Sequence, residues 1–333
     1  MGKKDTVTKK YMKNPAVFAD AFNKFLYHGR QVIKPETLTE LDTTEIALPF
    51  GKDGATVPSQ KYRDVLKLAM TDGSAAYCLL GIENQSSLHY AMPVKNMVYD
   101  AMQFARQISE TAISHRQKKE KNGGGYQPSA EEYLGGFYKT DRLLPVITLT
   151  IFWGAEKWDA PLSLKELYAT TDETILTYAP DYQVNLIAPA QMSEEEIDEF
   201  QTSLREIMLY IKYSKDKTKL WEVTQANPNF RTLSRTAAEV INVTTNSKLR
   251  YPEGKEAVDV CAAIQELMAD SEAKGEARGE ARGEVKGEAR GKIQGAVGAY
   301  KEVGLSLEEV ISRIARKFDF SLHESEEVVK KYW

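Results

Sequence analysis

At 333 residues the chain is long enough for one large domain or two modest ones, and its 42% apolar and 28% charged residues are those of a globular protein. The net charge of −4 argues against a protein that coats nucleic acid by bulk charge, and two distant cysteines, Cys78 and Cys261, cannot build a disulfide framework. The longest apolar runs are too short and too polar-flanked to span a bilayer. The basic start at Met1-Gly2-Lys3-Lys4 has no apolar stretch behind it, so a cytoplasmic location without membrane contact is expected. The four histidines lack ligand spacing, and zinc, GxGxxG and Walker A motifs do not occur.

In chain order, Asn14 to Gly29 reads as a helix, with Asn14 as cap, Pro15 at its first position and Phe18, Phe22, Phe25 and Leu26 on one face. Strands are predicted at 44–48, 62–70 and 75–82. The turn Gly51-Lys52-Asp53-Gly54 follows the first, and Thr71-Asp72-Gly73-Ser74 joins the last two. Residues 92–108 form an amphipathic helix, 117–138 a polar Gly-rich loop, and 143–153 an apolar strand. A strand at 184–188 and a capped helix over 193–213 come next, then helical segments at 229–241 and 256–270. The fold class is α/β: helix, three-stranded antiparallel meander, helix and strand, followed by an α-helical C-terminal extension.

Within that order two acids stand out. Asp64 opens one apolar stretch, and Glu83 follows another, with Gln85 two residues on. Strand side chains alternate, so Glu83 and Gln85 share a face, and Asp64 can meet Glu83 across a hairpin ladder. Two carboxylates converging at a sheet edge make a hard-oxygen site suited to Mg²⁺. Taken alone, Arg63-Asp64 also fits a surface ion pair, and Tyr99 at helical spacing fits a core residue.

Residues 275–295 carry Gly at every fourth position, flanked by Glu and Arg or Lys. That period drifts by about 40° per repeat on an α-helix, and each interior Gly costs about 1 kcal/mol relative to Ala. The segment reads either as a fraying linker or as a Gly-faced helix that pairs with a partner chain. Beyond it, Ser306 with Glu309, and Ser321, cap two short amphipathic helices. The expected divisions are a core over 1–190, a helical extension over 191–270 packed on it, the repeat over 271–298, and a small helical module over 299–333.

Several motifs in order now carry a resemblance: Phe18-Ala19-Asp20-Ala21-Phe22-Asn23, Tyr62-Arg63-Asp64, Ile82-Glu83-Asn84-Gln85, Met92-Pro93-Val94-Lys95-Asn96-Met97-Val98-Tyr99 and Phe152-Trp153-Gly154 with Trp158. Together with the Gly-rich tail they resemble the Rpn family of recombination-promoting nucleases, also described as YhgA-like transposases, of the PD-(D/E)xK nuclease superfamily. The resemblance spans roughly residues 5–333. It implies a restriction-endonuclease-like core and Mg²⁺-dependent DNA endonuclease activity, with Mn²⁺ able to substitute, linked to recombination, mobile elements or phage defence. It also implies a homodimer. Carried over by position, Asp64 and Glu83 are the metal-binding acids, with Asp20 as a helix-borne third. Gln85 stands where the superfamily has Lys, and Lys95 and Tyr99 match a basic and an aromatic position on the next helix.

A neutral Gln85 can orient water or phosphate only by hydrogen bonds, so Lys95 is expected to supply the missing charge. The catalytic set is then Asp64, Glu83, Gln85 and Lys95, and Arg63, Lys95 and Tyr99 are expected to touch DNA. Further basic residues run from Arg106 through His115 and Arg116 to Lys118, Lys119 and Lys121. The Gln at position 85 keeps a second class open, a catalytically silent relative acting as a DNA-binding or regulatory interaction protein. A three-acid transposase is a third reading, without a third spaced acid in a matching strand.

Overall fold

The computed structural model describes residues 2–47, 59–70, 76–121, 127–251 and 254–333, with the backbone alone at 44–47, 59–62, 118–121 and 271–272. The turns read at 51–54 and 71–74, and the Gly123–Gly125 run, lie outside these residues. The chain divides into two compact units, Met1–Ala263 and Ile264–Trp333. Residues 191–263 therefore belong with the core, in one unit.

Two helices open the first unit, α1 (Lys3–Met12) and α2 (Pro15–Tyr27). The Asn14 side chain accepts from the Ala16 N–H at 2.9 Å and Pro15 fills the first turn of α2, which fixes its start. His28 (φ 51°) and Gly29 (φ 78°) turn left-handed and end it. A Cβ on Gly29 would fall 2.8 Å from the Glu199 carbonyl oxygen, so the close approach needs glycine as well. Phe18, Ala21 and Phe22 are fully buried.

The strands follow as β1 (Leu38–Glu40), β2 (Thr44–Ala47), β3 (Ser59–Tyr62), β4 (Val65–Met70), β5 (Ala76–Gln85), β6 (Val146–Phe152) and β7 (Asn185–Ile187). Five of them make one mixed sheet in the order β1-β4-β5-β6-β7. The pairs β1–β4 and β4–β5 are antiparallel, while β5–β6 and β6–β7 are parallel. The expected meander differs in two places. The strand at 44–47 pairs with β3 in a separate ladder, and β1 takes the outer place beside β4. The expected strand 62–70 also breaks at Arg63-Asp64. The Arg63 N–H is drawn to the Thr43 carbonyl at 3.2 Å as the backbone leaves one ladder and enters the other.

A parallel β5–β6 pair needs a long crossover, and α3 (Met92–Lys121) supplies it. It extends well past the predicted end near residue 108. The expected loop also holds α4 (Ala130–Gly135), capped by Ser129 and Glu132 and closed by Gly136 at φ 70°. With a helix on the sheet and a strand on each side, β5 is buried from Cys78 to Gln85. Gly81, Glu83 and Gln85 align with Thr148, Thr150 and Phe152 of β6, and α3 lies over that face.

After β6 come α5 (Glu173–Tyr178), α6 (Glu194–Asp198), α7 (Leu204–Tyr213), α8 (Lys217–Ala226), α9 (Arg235–Thr245) and the short antiparallel pair β8 (Leu233–Ser234) and β9 (Ala257–Val258). The single helix read over 193–213 is two helices. Asp20 takes the Gln201 and Thr202 N–H groups at 2.9 and 2.8 Å, bonds that a continuous helix would claim. Leu204, Ile207, Met208 and Ile211 are fully buried, each contributing about 1.5–3 kcal/mol, which anchors α7 whatever precedes it.

The helix α10 (Val260–Glu302) begins in the first unit and runs unbroken through the glycine repeat. Residues 273–292 are exposed along it. In the second unit its final turns pack Ile293, Ala296 and Val297 against Val310 and Ile314 of α11 (Leu307–Phe318) and Val329 of α12 (Leu322–Tyr332). The capping box of Ser306 with Glu309 forms as the spacing predicts, and Ser321 caps α12 in a second box with Glu324.

Candidate active site

The β4–β5 register pairs Val65 with Ile82, and one step further sets Asp64 across from Glu83. Asp64 Oδ2 accepts from the Asn84 backbone N–H at 2.8 Å and from Asn84 Nδ2 at 3.3 Å. Asn84 Oδ1 in turn accepts from Trp153 Nε1 at 2.8 Å. The acid therefore caps the backbone just past the last pair of the β4–β5 ladder, which holds it beside the end of β5.

Glu83 is 2% exposed. Its Oε2 pairs with Lys95 Nζ at 2.9 Å, while Oε1 is buried without a hydrogen-bond donor. Burial disfavours the carboxylate and pushes its pKa up to about 7. The like charge of Asp64 pushes the same way, and Lys95 and Arg63 pull against it. A buried carboxylate with an unsatisfied oxygen, opposite a second acid, is an electrostatic environment that a divalent cation would relieve.

The parity of β5 sets Gln85 on the face of Glu83, almost buried, and its carbonyl accepts from the Trp153 N–H at 2.8 Å. Lys95, in the first turn of α3, reaches Glu83 as expected and keeps its side chain 27% exposed. The structure therefore brings Asp64, Glu83, Gln85 and Lys95 to one end of β5.

Three expected roles are corrected. The Asp20 carboxylate accepts from Gln201, from the Thr202 N–H and from the Thr202 hydroxyl at 2.6 Å, so it ties α2 to the start of α7. Among the described residues no group of three His, Cys, Asp or Glu side chains converges on one point, so Asp20 does not join the acid pair. Arg63 is fully buried and paired with Asp100 at 3.1 Å, out of reach of a nucleic acid and not paired with Asp64. Tyr99 is 5% exposed, and its ring centroid lies 5.2 Å from the Arg63 guanidinium carbon and 6.0 Å from Lys95 Nζ. Both cations lie within cation–π range of a ring too buried for a base to stack on.

Two polar groups behind the site were not anticipated. Asp100 Oδ1 accepts from Arg63 Nη2 at 3.1 Å and from the Thr148 hydroxyl at 2.5 Å, and Asp100 Oδ2 accepts from the Tyr182 hydroxyl at 2.5 Å. Asn96 Nδ2 donates to Thr150 Oγ1 at 2.9 Å. A signal for these was present: Asn96, Asp100 and Gln103 recur at i, i+4 and i+7, a polar stripe on the helix face that must cover the sheet, and all three are buried.

The basic residues along α3 are partly engaged within the chain. Arg106 pairs with Glu110 at 2.8 Å, and His115 pairs with Asp141 at 2.8 Å while stacking on Tyr138. The side chains of Lys118, Lys119 and Lys121 lie outside the described residues. Among those described, no helix is long and apolar enough to cross a membrane. Compared with protein-family models, with curated proteins and with solved structures, the chain matches none.

Proposed function

We propose that this chain is a divalent-cation-dependent DNA endonuclease with a restriction-endonuclease-like core. The observation that carries the reading is Glu83 Oε1, a buried carboxylate oxygen without a donor, on the residue that faces Asp64 across the ladder. Asp64 and Glu83 would hold Mg²⁺, and Mn²⁺ in its place. Such an ion lowers the pKa of a coordinated water and offsets charge on a phosphodiester under attack. Around it the chain contributes its own groups: Asn84 holds Asp64 in place, the Lys95 ammonium can attract a phosphate oxygen, and Gln85 can orient water. The order β1-β4-β5, crossover helix α3 and parallel β6 supports the fold part of the proposal. A homodimer acting in the cytoplasm on both strands, in recombination or element defence, completes it.

One observation favours the second reading, a silent DNA-binding or regulatory relative: Lys95 occupies Glu83 Oε2 and Asn84 occupies Asp64 Oδ2, so each acid has a partner within the chain. Nicking of supercoiled plasmid separates the two. Cleavage that needs Mg²⁺ and is lost in Asp64→Ala supports the nuclease. DNA retention without cleavage in any divalent ion supports the silent relative.

A further inference from the structure

The buried charges behind the acid pair are not used by that chemistry. Arg63 directly precedes Asp64, and its guanidinium is fully buried and held at both terminal nitrogens. Nη1 donates to Thr148 Oγ1 at 2.6 Å and Nη2 to Asp100 Oδ1 at 3.1 Å. The plane passes over Gly81, where a Cβ would fall 2.0 Å from Nη1. Only a residue without a side chain leaves that space open. Asp100 is held in turn by Thr148 and Tyr182, so α3, β6 and the segment before β7 all fix one carboxylate.

A buried ion pair is weak evidence for stability, because desolvation offsets much of its attraction. Thr148 and the carboxylate of Asp100 therefore call for a reason beyond stability. The position of Arg63 gives one. Its backbone is the point where the chain passes from β3 into β4, a place with no ladder of its own, and the next residue is Asp64. The side chain is tied to Asp100 and the backbone N–H to Thr43, and the Asp64 carboxylate that follows is bonded to Asn84. We infer that Arg63, clamped by Asp100 and seated on Gly81, is a positioning residue that fixes Asp64 for cation binding. This rests on the reading of Asp64 and Glu83 as a cation site. Arg63 acts on Asp64 through the backbone and touches no ligand.

The test is Mn²⁺ titration of the full chain, following free Mn²⁺ by electron paramagnetic resonance, with far-UV circular dichroism as a check on folding. Asp100→Asn keeps the shape and removes the charge that clamps Arg63. Gly81→Ala keeps every charge and crowds the guanidinium from below. Each is expected to weaken Mn²⁺ binding about ten- to hundredfold in folded protein, the usual effect of losing a supporting partner of a metal site. Tyr182→Phe removes one donor to Asp100 and leaves the ion pair. Its smaller loss in the same direction decides the matter should the harsher variants not fold. A role confined to stability would lower the melting temperature and leave the affinity of the folded protein unchanged, and that result in Asp100→Asn or Tyr182→Phe overturns the assignment. Absence of Mn²⁺ binding by the unsubstituted chain overturns the cation-site reading and the assignment with it.

Discussion

Lys95 Nζ lies 2.9 Å from Glu83 Oε2, so the first turn of α3 delivers a cation to the acid on β5 whose neighbour Gln85 carries none. The residue is only partly exposed, and its ammonium pairs directly with a buried carboxylate.

Removing that counterion leaves Glu83 buried and unpaired. Lys95→Met, which keeps the apolar stem, is expected to destabilise the protein by about 1–3 kcal/mol near neutral pH and by less in acid, where Glu83 carries its proton. Urea denaturation at two pH values measures the difference. Under the proposed function, the same variant loses Mg²⁺-dependent nicking. Full cleavage by Lys95→Met would remove Lys95 from the reaction.

The raised pKa of Glu83 makes a second prediction, for protein in chelator. Between 4.5, its ordinary value, and about 7 the folded protein keeps a proton that the unfolded chain releases. Stability therefore falls as pH rises through that window, and the cost is complete above about 7. Glu83→Gln has no carboxylate to desolvate. Its melting temperature relative to the parent should rise between pH 4.5 and about 7 and level off above that. A difference independent of pH would show that Glu83 is not held in an unfavourable ionised state.

Asp20 should behave as a structural residue. Asp20→Ala strands two backbone N–H groups at the start of α7 and is expected to cost about 1–3 kcal/mol, read from chemical denaturation. Mn²⁺ affinity of the folded variant should match the parent. A lost metal site in folded Asp20→Ala would return Asp20 to the acid pair.

The glycine repeat offers a fourth test. Among the described residues, nothing beyond the adjoining helix backbone lies within 4 Å of a Cβ built on Gly279 or Gly283, and both sit mid-helix in α10. Replacing either with Ala should stabilise that helix by about 1 kcal/mol, seen as added helicity in thermal circular dichroism. Loss of helicity instead would mean that the glycines are packed against another chain in solution.

The parts of the site that follow from strand periodicity were legible in the sequence. Alternation put Glu83 and Gln85 on one face and hairpin register put Asp64 opposite, while Lys95 came from the resemblance and from the charge that Gln85 lacks. What was not legible depends on groups distant in sequence. The break between α6 and α7 exists because Asp20, far upstream, captures the amides of Gln201 and Thr202. The interruption at Arg63 depends on Thr43 and on Asp100, and the identity of the outer strand on a three-residue ladder, β1, too short to show a period. Arg63 read as a surface group because a buried arginine needs a buried acid, and Asp100 sits on a helix face that only tertiary packing covers; for Tyr99, helical spacing already allowed a place in the core.

The central question is whether Asp64 and Glu83 form one cation site. Mn²⁺ titration of the full chain beside Asp64→Asn and Glu83→Gln decides it. Saturable binding by the parent that is lost in both folded variants is the predicted result. Binding that persists undiminished in both, or is absent from the parent, would contradict it.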